Sequence, residues 1–75
     1  MARYMNRGGD SGIVEYEIGG DSITVTFHDG SVYLYDYAST GQQNIEHMKT
    51  LAEDGEGLNA FINTNVRKAY ARKIR

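Results

Sequence analysis

Ile23-Thr24-Val25-Thr26-Phe27-His28-Asp29-Gly30-Ser31-Val32-Tyr33-Leu34-Tyr35 is the stretch that decides the fold. Apolar and polar residues alternate on both sides of Asp29-Gly30, and a strand sends alternate side chains to opposite faces. An Asp-Gly pair between two such runs predicts a β-hairpin closed by a two-residue type I′ turn. A turn at 29–30 pairs Phe27 with Val32, Val25 with Leu34 and Thr24 with Tyr35. Upstream, Val14, Tyr16 and Ile18 alternate with Glu15 and Glu17, and Gly19-Gly20 supplies a second turn. Residues 12–37 therefore predict a three-stranded antiparallel β-meander.

Cross-strand partners share a face, so the register sorts the side chains. One face is expected to hold Val14, Tyr16, Ile18, Ile23, Val25, Phe27, Val32 and Leu34, and to be the core side. The opposite face is expected to carry Ile13, Glu15, Glu17, Thr24, Thr26, His28, Tyr33, Tyr35 and Tyr37.

The second half has helical periodicity. Ser39 with Gln42, or Thr40 with Gln43, has the spacing of a capping box. Ile45, Met48, Leu51 and Ala52 follow at helical intervals, and Gly55 suits the position just past a helix end. Leu58, Phe61, Ile62, Val66, Ala69 and Tyr70 mark a second amphipathic helix. The expected fold is α+β, in the order β-β-β-α-α, with two α-helices packed on one face of the meander. Residues 1–10 read as a flexible N-terminal arm and residues 11–75 as a single domain.

A chain of 75 residues without cysteine makes one small domain with no disulfide and no thiolate ligand or nucleophile, which fits a reducing compartment. Met1 to Asp10 contains Arg3 and Arg7 but no apolar run, so no signal peptide is expected. No stretch approaches the ~20 apolar residues of a membrane span. A cytoplasmic protein without membrane contact is the expectation.

The net charge of −2 hides an asymmetry. Arg67, Lys68, Arg72, Lys73 and Arg75 are five of the eight basic residues, and no acidic residue accompanies them in the last nine positions. Such a tail attracts polyanions; equally, cations at the end of a helix complement its dipole and stay solvated.

Catalytic patterns are missing. The hydroxyl residues have only His28 and His47 as bases, and neither has an evident third partner. No His-x-x-x-His or Cys spacing suggests a metal site, and the glycine pairs fit no phosphate loop. Glu15 and Glu17 lie on an open strand, without the pocket that would split their pKa values. No catalytic residue, metal, cofactor or small-molecule substrate is expected.

What remains is the tyrosine row. Aromatic rings on an open sheet stack unpaired bases, each worth ~1–3 kcal/mol, while a basic tail holds phosphates. Tyrosine is also a favoured strand residue that pairs with threonine without any ligand. Glu15 and Glu17, expected on the same face, would repel a phosphate backbone.

The segment Val25–Tyr35, with its central Tyr33-Leu34-Tyr35, resembles the hallmark of the KTSC domain, a small bacterial domain also found at the C-terminus of some lysyl-tRNA synthetases. Phe61-Ile62-Asn63, then Val66-Arg67, then Tyr70, is similar to that family's C-terminal pattern, so the resemblance spans residues 12–72 or so. Two segments depart from it: Ala38-Ser39-Thr40, where many members carry a proline, and the acidic Glu53-Asp54-Gly55-Glu56-Gly57 before the last helix. The resemblance implies a non-catalytic module, with RNA suggested by the synthetase association. It points to Tyr33, Tyr35, Asn63, Arg67 and Tyr70.

Combined with the basic tail, the candidate ligand-binding set is Tyr33, Tyr35, Asn63, Arg67, Lys68, Tyr70, Arg72 and Lys73. RNA is the first partner considered. If all five tail charges met single-stranded RNA, log K would fall with log salt at a slope of about −3.5. A protein partner or a second copy, burying the same tyrosine face, is the alternative.

Overall fold

In the computed structural model, which describes residues 2–7 and 12–75, five antiparallel strands form one sheet in the order β1-β2-β3-β4-β5. They are β1 (Ala2–Arg3), β2 (Ile13–Ile18), β3 (Ser22–Phe27), β4 (Val32–Asp36) and β5 (Arg72–Lys73). Between β4 and β5 come α1 (Tyr37–Thr40), α2 (Gln42–Asp54) and α3 (Leu58–Phe61), and α3 continues as a π-helical turn over Ile62–Val66. The α+β class stands. The expected meander is only the centre of the sheet, and the expected second long helix is instead a short one followed by a π turn and an edge strand. Both added strands are two residues long, too short to leave any periodicity in the sequence. Short edges bearing Arg3, Arg72 and Lys73 also resist pairing with other chains.

The central hairpin is closed by three residues, not two. Gly30 N–H donates to the Phe27 carbonyl at 2.9 Å and Phe27 N–H to the Ser31 carbonyl at 2.8 Å. Phe27 to Gly30 is thus a hydrogen-bonded turn with Gly30 at φ 93, a left-handed position that favours glycine. The extra loop residue moves the pairing by one, to Ile23 with Tyr35, Thr24 with Leu34 and Val25 with Tyr33. A one-residue slip exchanges the two faces of a strand. Tyr33 and Tyr35 therefore lie on the core side with Ile23 and Val25, while Val32 and Leu34 share the opposite face with Thr24 and Thr26. Glu15 and Glu17 pair with Thr26 and Thr24, so they sit across the sheet from the tyrosines, contrary to the expected arrangement.

In the first hairpin Ile18 faces Ile23 and Tyr16 faces Val25, and an irregularity between Ile13 and Glu15 then resets the strand. That bulge exchanges its neighbours' fates: Ile13 is buried and Val14 is 41% exposed. Ile23, Val25 and Tyr35 from the sheet join Ile45, Met48, Ala52, Leu58, Ile62 and Val66 from the helical segment in one buried cluster.

Caps explain the helix limits. Asp36 caps α1, its Oδ1 accepting the Ser39 N–H at 2.8 Å, and it forms a capping box with Ser39. Neither expected pairing with Gln42 or Gln43 occurs, because a tight turn of helix already begins at Tyr37. Gly55 takes the left-handed position after α2 (φ 81), where a Cβ would meet that of Met5 at 2.5 Å.

Residues 2–7 of the expected arm are packed into the fold: β1 pairs with β2, Tyr4 is in the buried cluster, and Arg7 N–H donates to the Gly55 carbonyl at 2.7 Å. Residues 1 and 8–11 lie outside the described ones. Among the described residues no helix is long and apolar enough to cross a membrane.

Candidate functional site

The shifted register gathers the tyrosines on the helix-covered side. Tyr33 stands beside Val25 and Tyr35 beside Ile23. The chain returns to β4 after the π turn because Ala71 N–H donates to the Leu34 carbonyl at 2.7 Å, and this brings Tyr70 over both rings. Tyr70 lies 4.8 Å from Tyr33 and 6.4 Å from Tyr35, centroid to centroid, and the Phe27 ring meets Tyr33 edge-on at 5.7 Å. These are the spacings and tilts that aromatic pairs prefer.

The aromatic group lines a cavity of about 310 Å³. Tyr33, Tyr35, Tyr70 and Phe27 form one side, and Ile62, Asn63 and Arg67 come from the π turn and the residue after it. His28, Asp29 and Ser31 contribute from the β3–β4 loop. Its size is at the lower end for ligand sites, ~300–1,000 Å³. It suits a single ring system and its substituents, not a run of stacked bases. The π turn also has a local meaning, since such widened turns occur often at functional sites.

Tyr35 is the unusual member. The residue is 2% exposed, and its hydroxyl makes no hydrogen bond with any described residue. Every fully enclosed side-chain polar atom among the described residues has a partner. Tyr35 is one of the residues that line the cavity. Burial, reinforced by Tyr33 and Tyr70, pushes its pKa up to about 12. The hydroxyl is thus neutral, able to donate and to accept, and bonded to no described residue.

At the loop side, Asp29 Oδ1 accepts the Ser31 hydroxyl at 2.6 Å and the Ser31 N–H at 2.9 Å. These hydrogen bonds hold the carboxyl below its ordinary pKa, so it is ionised at neutral pH. Both hydrogen bonds use Oδ1. Arg67 is exposed and forms no ion pair among the described residues.

Tyr33, Tyr35, Asn63, Arg67 and Tyr70 thus meet around one cavity. The rest of the basic tail divides. Lys73 pairs with Tyr33 in the sheet and holds its Nζ 5.8 Å from that ring, on the cavity side. Arg72 pairs with Leu34, which puts it on the other face. Lys68 is exposed and does not line the cavity. Arg72 and Lys73 form a strand, so the helix-dipole explanation of the tail's charge does not apply to them, whereas Arg67 sits at the end of the π turn. Tyr37 leaves the row altogether: it starts α1, and its hydroxyl donates to Glu46 at 2.6 Å, which Lys49 also contacts at 2.9 Å.

Phe27, His28, Asp29 and Ser31 were not expected at a site. The signal that would have found them is the loop length, because a His-Asp-Gly loop with glycine in third place moves the tyrosines to the loop's own side. His47 lies 4.7 Å from the Phe61 ring, away from His28. No group of three or more His, Cys, Asp or Glu is placed to hold a metal ion among the described residues. No family model, curated protein or solved structure matches the chain.

Proposed function

We propose that this chain is a non-catalytic, KTSC-like binding module that takes single-stranded RNA, with one unstacked base entering the Tyr33–Tyr35–Tyr70 cavity. One observation carries the reading: five separated residues, Tyr33, Tyr35, Asn63, Arg67 and Tyr70, converge on one cavity. Sequence-specific RNA recognition relies on splayed bases held between aromatic rings and hydrogen-bonded at their edges. The 37% exposed ring of Tyr70 offers a stacking surface, and Arg67 and Lys73 provide cations on the same side for the flanking phosphates. The removal of Glu15 and Glu17 to the far face of the sheet takes away the repulsion that would have opposed this. The alternative, a protein partner or second copy covering the tyrosine face, is less favoured because Tyr35 is already buried within the chain itself.

The test is an amide NMR titration with a mixed-sequence single-stranded RNA at low and moderate salt. Shifts should cluster at Phe27–Tyr35 and Asn63–Tyr70. With two cations engaged instead of five, log K should fall with log salt at a slope of about −1.4. Absence of shifts at either salt concentration would end the RNA reading.

A further inference from the structure

We propose that the face of the sheet opposite the tyrosines is a self-association surface. A second copy of this chain docks on it face to face, about a two-fold axis that runs along the strands between β3 and β4. Such a dimer leaves the tyrosine cavity open on its two outer sides, so it stands or falls independently of RNA binding.

The register writes a row straight across this face: Glu17 stands beside Thr24, Thr24 beside Leu34, and Leu34 beside Arg72. An acidic end on β2 and a basic end on β5 therefore flank an uncharged middle. With strands about 4.8 Å apart, the two ends lie about 7 Å on either side of the midline between β3 and β4. A two-fold axis along that midline reverses the strand order in the facing copy. Glu17 of each copy then meets Arg72 of the other, and Thr24 meets Leu34. An axis across the strands would instead set β2 on β2 and oppose like charges, which is costly. The neighbouring row adds apolar contact: Glu15 stands beside Thr26 and Thr26 beside Val32, and Ile74 N–H donates to the Val32 carbonyl at 2.7 Å. Ile74 alternates with Lys73, so it shares this face, and it is 50% exposed. Ile23 and Val25 are fully buried on the helix side, whereas Thr24, Thr26 and Leu34 here keep part of their surface. Glu15, Glu17 and Arg72 form no ion pair among the described residues, which leaves their charges to a partner. Two aligned sheets pack about 10 Å apart in this manner, and self-complementary two-fold contacts are the commonest in homo-oligomers. A narrow apolar middle between charged ends makes a weak dimer, populated at high concentration.

The experiment is sedimentation equilibrium on the native chain, on Glu17→Arg, on Arg72→Glu, and on an equimolar mixture of the two variants, from micromolar to millimolar concentration at low salt. The native chain should show a monomer–dimer equilibrium that added salt weakens. Each variant alone opposes like charges at both ends of the row and should raise the dissociation constant about tenfold or more. In the mixture, one copy carries arginine at both positions and the other glutamate at both. Every contact at the row ends is then between opposite charges, and heterodimers should form with about the native affinity. Glu17 and Arg72 are exposed, and an unchanged circular dichroism spectrum will confirm that both variants are folded. A native chain that stays monomeric at millimolar concentration would overturn the proposal. A dimer that survives in both variants would place the contact on another face and overturn this one. Variants that remain monomeric when mixed would overturn the pairing of Glu17 with Arg72.

Discussion

Two buried tyrosines at different places in the molecule have opposite circumstances. Tyr4, 3% exposed, lies just beyond β1, and its hydroxyl accepts the Leu58 N–H at 3.2 Å. That bond satisfies the first amide of α3, one of the orphan donors that every helix start leaves. Tyr35, 2% exposed, sits on β4 with a hydroxyl that no described residue answers. A polar atom withdrawn from bulk water is ordinarily paired inside the fold. The first tyrosine follows that rule by closing the N-terminal strand onto the helical segment. The second has no such bond to a described residue, and it lines the cavity. Burial of Tyr4 serves stability; under the proposed function, Tyr35 serves binding.

The largest expected effect separates the two by stability. Tyr4→Ala removes a large buried ring and should cost about 3–5 kcal/mol in denaturant unfolding, a large share of the stability of a domain this small. A loss below about 1 kcal/mol would show that the N-terminal strand contributes little. Next in size, Gly55→Ala tests the closure made by residues 2–7. It places a side chain at φ 81 against Met5, and the left-handed backbone alone costs about 1–2 kcal/mol. RNA affinity at saturating folded fraction should be unchanged, and a parallel fall in affinity would mean the two ends are not independent.

The smallest effect is confined to alkaline solution. The folded-state pKa of Tyr35 is raised from 10.0 to about 12, so the folded state holds its proton where the unfolded chain has released it. The stability contributed by this group is fully present below pH 10 and is lost as pH rises through the window to about 12. Tyr35→Phe should flatten that part of the unfolding profile. An unchanged slope would place the alkaline loss elsewhere.

Much of this arrangement was legible in the sequence, and the part that was not has a single physical origin. The strands of the meander, the α2 stripe of Ile45, Met48 and Ala52, and Gly55 at its end all follow from periodicity and backbone preference. The faces of β4 do not, because they depend on one hydrogen bond, Gly30 N–H to the Phe27 carbonyl. The same Asp29-Gly30 pair closes either a two-residue or a three-residue loop, and the choice decides whether Tyr33 and Tyr35 face solvent or core. Strands β1 and β5 were invisible for another reason: Ala2-Arg3 and Arg72-Lys73 have no apolar pattern and are held by main-chain pairing to β2 and β4. Residues of the candidate site could be named from sequence and resemblance, but not their convergence, since Asn63 and Arg67 depend on a π turn that no periodicity announces.

The contrast between the two tyrosines is tested most directly by deleting each hydroxyl and keeping each ring. Tyr4→Phe and Tyr35→Phe should be measured side by side for unfolding free energy and for affinity to single-stranded RNA. Tyr4→Phe leaves the Leu58 N–H unpaired and should cost about 1–3 kcal/mol with affinity unchanged. Tyr35→Phe should keep its stability within about 0.5 kcal/mol, since no internal hydrogen bond is lost, while affinity falls several-fold or more. If Tyr35→Phe instead loses stability and binds as the native protein does, the cavity is a feature of packing and the proposed binding site is wrong.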